Sequence, residues 1–144
     1  MPRRRILIAL AFAGPTAFRA IGSSAIAKPG HPDPKWYEAA VRMRLLAESW
    51  GDQSYGAVLV VEGAVVGDGP SRVVKDSNPL AHAERVAILD AQSRLGRETL
   101  AGSVLYSTSR PCSVCEAAAF RAGVSRMYFG QALEDAGLPL GRAR

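Results

Sequence analysis

The sequence predicts an α/β fold, a three-layer α-β-α sandwich around a mixed sheet of about four to five strands. Three observations predict it. Hydrophobic patterning runs helix-β-β-helix-β-helix-β along the chain, an order that stacks helices on a shared sheet. Two runs rich in valine, 57–61 and 64–67, meet at Glu62-Gly63, a pair suited to a hairpin turn. The chain has 144 residues, of which 48% are hydrophobic, as expected for one ordinary globular domain.

Each element has its own signature. Residues 28–34 form a Pro/Gly linker, and the domain runs from 35 to 144. Over 34–50, Trp36, Ala39, Ala40, Met43, Leu46 and Ala47 fall on one helical face. After the hairpin, a polar loop over 69–79 leads to a helix over about 81–95. That helix opens at His82, carries Val86, Ala87, Ile88 and Leu89, and stops at Leu95-Gly96. Strands at 103–107 and 126–130 flank a further helix beginning at Pro111, where a missing N–H costs nothing. Trp36, Trp50, Tyr106 and Phe120 are expected in the core, as large aromatics usually are.

The chemistry is concentrated in His82-Ala83-Glu84 and Pro111-Cys112-Ser113-Val114-Cys115. Zinc binds imidazole nitrogen and thiolate sulfur, and a catalytic site keeps three protein ligands so that one position stays open. His82, Cys112 and Cys115 supply three, for one zinc per chain. Glu84 is then free to move protons. Cys112 and Cys115 stand at i and i+3, on one face of a helix. A helix N-terminus there favours both thiolates.

Competing readings use fewer of these residues. A C-x-x-C pair near a βαβ pattern also suits thiol redox chemistry. A structural zinc site uses four ligands, but the only other histidine, His31, lies far upstream in the linker. Neither a redox protein nor a non-catalytic zinc domain requires Glu84.

Over 36–130 the chain resembles the zinc-dependent cytidine/deoxycytidylate deaminase superfamily, nearest its guanine deaminase and tRNA adenosine deaminase branch. Tyr55-Gly56-Ala57-Val58-Leu59-Val60 is similar to that branch's first strand. Asn78-Pro79-Leu80-Ala81-His82-Ala83-Glu84 resembles its D-P-T-A-H-A-E segment. Leu105-Tyr106-Ser107-Thr108 leads into Pro111-Cys112 as L-Y-x-T leads into P-C, and Arg126-Met127-Tyr128-Phe129-Gly130 matches R-V-V-F-G. H-x-E followed by P-C-x-x-C is the signature of zinc nucleobase deaminases. The resemblance implies a cytidine deaminase-like fold, hydrolytic deamination of an aminated heteroaromatic ring, and a homodimer. Glu84 would serve as the proton shuttle, and backbone N–H groups near Ala83 and Cys112 would help hold the adduct.

Three departures bear on substrate. Relatives commonly carry Asn eleven residues before the metal histidine to hold the base; here it is Ser71. Purine-acting relatives usually have Glu before P-C; here it is Arg110. Relatives continue through another strand or helices after R-V-V-F-G, whereas this chain stops at Arg144, so the domain reads as short at its C-terminus. Ser71, Ala83 and Arg110 are therefore the expected substrate-binding positions. The expected substrate is a free nucleobase of guanine or cytosine type, or a related amino-azaheterocycle.

Charge places the partners and the compartment. The net charge is +5, but Arg3, Arg4, Arg5 and Arg19 precede the first acidic residue, Asp33. Residues 28–144 hold 14 basic and 13 acidic side chains. That balance is no nucleic-acid footprint, and a small-molecule substrate is expected instead. The basic start, the apolar run over 6–12 and Ala25-Ile26-Ala27 read as an export signal over 1–27, cleaved after Ala27. Arg3-Arg4-Arg5-Ile6-Leu7 approximates a twin-arginine core. The apolar run is too short to span a membrane, so no stable anchor follows cleavage. The expected location is periplasmic or secreted. A misassigned start codon would make the protein cytoplasmic and reopen tRNA adenosine deamination. Mass spectrometry of the expressed protein should find a mature N-terminus at Lys28; a cytosolic chain retaining residues 1–27 would contradict export.

Overall fold

A computed structural model describes residues 31–141; the expected export signal over 1–27 and linker residues 28–30 lie outside them. Eight elements follow in order: α1 (Pro34–Ser49), β1 (Gly56–Val61), β2 (Ala64–Pro70), α2 (Ala83–Leu95), β3 (Val104–Ser107), α3 (Ser113–Ala122), β4 (Arg126–Phe129) and β5 (Glu134–Gly137). The sheet order is β2-β1-β3-β4-β5. Only β3 and β4, joined through α3, run parallel; the other neighbours are antiparallel. The sheet is therefore mixed, as expected.

Strand β1 shows why there are three layers. Its residues are buried on both faces of the sheet, so it reads as a continuous apolar run. Ala57 and Leu59 pack with Ala83, Ala87 and Ile88 of α2 and Ala119 of α3. Val58 and Val60 pack on the opposite side with Ala39 and Ala40 of α1, beside Tyr106 and Tyr128. The period-two alternation of a strand thus feeds two separate cores.

Helix limits follow local chemistry. Asp33 caps α1 by accepting the Lys35 N–H at 3.0 Å, with Pro34 opening the helix. Gly96 and Gly123 end α2 and α3 in left-handed conformations. Between β1 and β2, Glu62 and Gly63 both have positive φ, 48° and 75°, the geometry of a tight hairpin turn.

Two glycines set how closely α2 lies on the sheet. A Cβ on Gly69 would stand 2.1 Å from the Ala83 carbonyl oxygen, and one on Gly67 would stand 2.2 Å from that of Ala87. Any side chain there would lift α2, and Ala83 directly follows His82.

Several expectations are corrected. Helix α3 starts at Ser113 with Cys112 as its N-cap, so Pro111 precedes the helix. Trp50 and Phe120 are not core: they are 36% and 53% exposed. Trp50 follows the last turn of α1, where its ring lies under Arg72 and Lys75. Leu46 of the expected buried face is also exposed. The chain does form a further strand after β4, the short β5. Among the described residues no helix is long and apolar enough to cross a membrane.

Candidate metal centre

Two helices begin on the residues that would hold a metal. His82 is the N-cap of α2, in extended conformation, and its carbonyl accepts the Val86 N–H at 2.9 Å. Cys112 is the N-cap of α3, and its carbonyl accepts the Glu116 N–H at 2.9 Å. Its Sγ also accepts the Cys115 N–H at 3.4 Å, taking the place an oxygen usually fills at a helix start. Cys115, in the first turn of α3, is therefore fixed relative to Cys112 by the cap itself.

The three side chains converge. The two sulfurs are 3.3 Å apart, and His82 Nδ1 lies 3.6 Å from Cys112 Sγ and 3.4 Å from Cys115 Sγ. Tetrahedral zinc, with Zn–S of about 2.3 Å and Zn–N of about 2.0 Å, needs ligand-to-ligand edges of roughly 3.5–3.8 Å. The observed triangle lies within a few tenths of an ångström of that. A disulfide requires sulfurs at about 2.05 Å, and both cysteines are free. Among the described residues, this is the one cluster of three such ligands. The donor set fits one zinc ion.

The electrostatics agree. Burial, then the charge of Glu84 and the neighbouring Cys112, pushes the Cys115 thiol far above its usual range. A divalent cation supplies the compensating charge, because a coordinating thiol is deprotonated outright.

Glu84 is buried in the first turn of α2 and is not part of the ligand triangle. The Ser107 hydroxyl donates to its Oε1 at 2.7 Å. Ser107 ends β3, is fully buried, and was not identified from the sequence. One serine in a strand gives no signal of a contact with a residue 23 positions earlier.

A cavity of about 410 Å³ opens over this arrangement. His82, Glu84 and Cys112 line it together with Gln53, Tyr55, Ala83, Ser109 and Arg110. Of the expected substrate-binding positions, Ala83 and Arg110 line the cavity. Ser71 does not line the cavity. It is fully buried, and its hydroxyl donates to Asp52 Oδ1 at 2.9 Å. The substrate-reading role expected of Ser71 is corrected accordingly.

Asp52 is the other residue that the sequence reading missed. Its carboxylate also accepts the Gln53, Val74 and Lys75 N–H groups at 2.7, 3.0 and 2.8 Å. Burial pushes this carboxyl up, but the bonds from Lys75, Gln53, Ser71 and Val74 outweigh that and hold it below the ordinary range. Asp52 thereby ties the loop leading toward His82 to the segment carrying Gln53.

Residues 31–131 match the cytidine and deoxycytidylate deaminase zinc-binding region. The chain belongs to this family. It is 30% identical to a tRNA-specific adenosine deaminase of Buchnera aphidicola subsp. Schizaphis graminum, covering 72% of this chain and 68% of that protein. It is 34% identical to a guanine deaminase of Bacillus subtilis, covering 57% and 53%. Across the first relatives it matches, the chain spans 49% to 68% of their length. A solved chain from studies of A-to-I editing by tRNA:A34 deaminases superposes with a TM-score of 0.66 at 35% identity, covering 68% of this chain and 71% of that one. The guanine deaminase structure from Bacillus subtilis gives 0.66 at 29%, covering 69% and 64%.

Ser107 predicts a separable effect. A hydrogen bond to a charged group is worth about 1.5–3 kcal/mol, so Ser107→Ala should lower kcat about tenfold or more. KM should stay within about twofold and zinc content should be unchanged, while Ser107→Thr should keep most of the rate. Steady-state kinetics and metal analysis of the variants check this. Loss of zinc, or a rise in KM alone, would show that Ser107 does not act through Glu84.

Proposed function

We propose that this protein is a zinc-dependent hydrolytic deaminase of a free nucleobase or related amino-azaheterocycle, releasing ammonia. The observation that carries the reading is the buried Glu84 carboxylate lining the same cavity as His82 and Cys112, yet outside the ligand triangle. Ligands alone would serve a structural site. A carboxylate at the cavity wall adds a group able to move protons.

His82, Cys112 and Cys115 would hold the zinc. Zinc bound there supplies Lewis acidity, which makes water a competent nucleophile near neutral pH. The chain's own residues supply the rest. Glu84 takes a proton from water as the C–O bond forms, and delivers it to the ring nitrogen. It then carries the second proton of that water, from the new hydroxyl, to the amine, which leaves as ammonia when the C–N bond breaks. Ser107 holds Oε1 during these transfers, so the second oxygen carries the proton. The Ala83 N–H, in the first turn of α2, lacks an intrahelical acceptor by position and can meet developing negative charge.

A small heterocycle is favoured over RNA by composition. Residues 28–144 carry 14 basic and 13 acidic side chains, little attraction for a phosphate backbone. The export reading points the same way, since tRNA is cytosolic. The names of the relatives favour a second reading, tRNA adenosine deamination, because most of the first ones carry it. Homodimerisation is part of the proposal: Leu89, Val114 and Phe120 leave apolar surface on α2 and α3 that a second copy would cover.

Glu84→Gln should retain zinc and lower turnover by at least ~10²-fold, the usual scale for lost general acid–base catalysis. Ammonia release from purines, pyrimidines and triazines, with a tRNA anticodon stem-loop alongside, measures it. Full activity in the variant would remove Glu84 from the chemistry, and deamination of the stem-loop alone would replace the small-molecule reading.

A further inference from the structure

Arg110 lines the cavity beside the metal ligand Cys112 and is exposed. The described ion pairs engage Lys35, Arg44, Arg72, Arg94 and Arg126; Arg110 is in none of them. It is not loose, however. Its Cζ lies 5.3 Å from the centroid of the Phe129 ring on β4. A guanidinium seated on an aromatic face is restrained in orientation while its N–H edges stay free for a planar anion. Besides the metal ligands His82 and Cys112 and the carboxylate of Glu84, whose Oε1 is occupied by Ser107, the remaining polar lining is uncharged: Gln53, Tyr55 and Ser109 offer one amide and two hydroxyls. The cavity thus combines neutral groups able to read a ring edge with one unpaired, positioned cation at an exposed position. Its 410 Å³ falls within the about 300–1,000 Å³ usual for small-molecule sites, with room for a substituted ring.

We propose that the substrate is an amino-azaheterocycle bearing an anionic group, carboxylate or phosphate, and that Arg110 pairs with that group. This rests on the deaminase reading and sharpens it. Charge-assisted pairing of guanidinium with carboxylate or phosphate is bidentate and stronger than neutral hydrogen bonding.

Titration calorimetry of the zinc-loaded protein tests this with matched probes: cytidine and its 5′-monophosphate, guanosine and its 5′-monophosphate, and 4-aminopyrimidine and its 5-carboxylate. In at least one pair the anionic member should bind about tenfold or more tighter, and the pair that responds identifies phosphate or carboxylate. Arg110→Ala should abolish the preference, Arg110→Lys should keep part of it, and Arg110→Glu should reverse it. Equal binding within every pair, a preference that survives Arg110→Ala, or no binding of any probe would overturn the proposal. Ammonia release is measured separately on the same probes. An Arg110-dependent preference without ammonia release would count against the deaminase reading while leaving the anion assignment standing.

Discussion

The structure depends on two helix N-termini meeting at one point. His82 and Cys112 are each the residue on which a helix begins, so the backbone that starts α2 and α3 also aims the ligands. Both helices pack on the same face of the sheet, against Ala57 and Leu59 of the central strand β1. The ligand triangle is thus a consequence of how α2 and α3 lie on the sheet. Cys115 follows without further constraint, because its N–H is already bonded to Cys112 Sγ. Burial and the nearby Glu84 carboxylate disfavour the Cys115 thiolate, visible in the upward displacement of its thiol. A bound cation offsets that cost, which couples metal binding to the stability of this part of the fold.

The same geometry separates the proton-moving group from the ligands. Glu84 is two residues beyond His82, about 200° around the helix by the usual pitch, and so leaves the ligand triangle. A buried carboxylate needs a donor, and Ser107 provides one from the end of β3. Strand β3 pairs with β1 on one side and β4 on the other, so the serine is carried by the rigid middle of the sheet. The glycines of β2 let α2 approach closely enough for the contact to form, since a side chain at Gly69 would strike the backbone at Ala83. Sheet, helix and carboxylate are one mechanical unit.

Much of this was legible in the sequence, for identifiable reasons. Hydrophobic periodicity located β1, β2 and the helices because each buries one stripe or one face. The ligands were legible because zinc requires particular atoms at particular spacings, and His82, Cys112 and Cys115 have them. Less was legible where long-range contacts decide. Strand β5 consists of Glu134, Asp135, Ala136 and Gly137, with no β-branched residue; it forms by pairing with β4, supported by Arg126 gripping Asp135. The role of Asp52 depends on a loop more than twenty residues away. Ser71 stands eleven residues before His82, where the resemblance led us to expect a substrate-reading group, yet its side chain turns to Asp52. Trp50 and Phe120 looked like core from composition alone. At a helix end and on an outer helix face they remain accessible.

Coordination at the converging N-caps is the claim on which the rest stands, and X-ray absorption at the zinc edge of the purified, reduced protein tests it most directly. Metal analysis should give one zinc per chain, and the spectrum should show two sulfurs near about 2.3 Å and two lighter atoms near about 2.0 Å, one from His82. Cys112→Ser and Cys115→Ser should each lose the metal. A folded, reduced protein that binds no zinc, or a zinc shell without both sulfurs, would contradict the account.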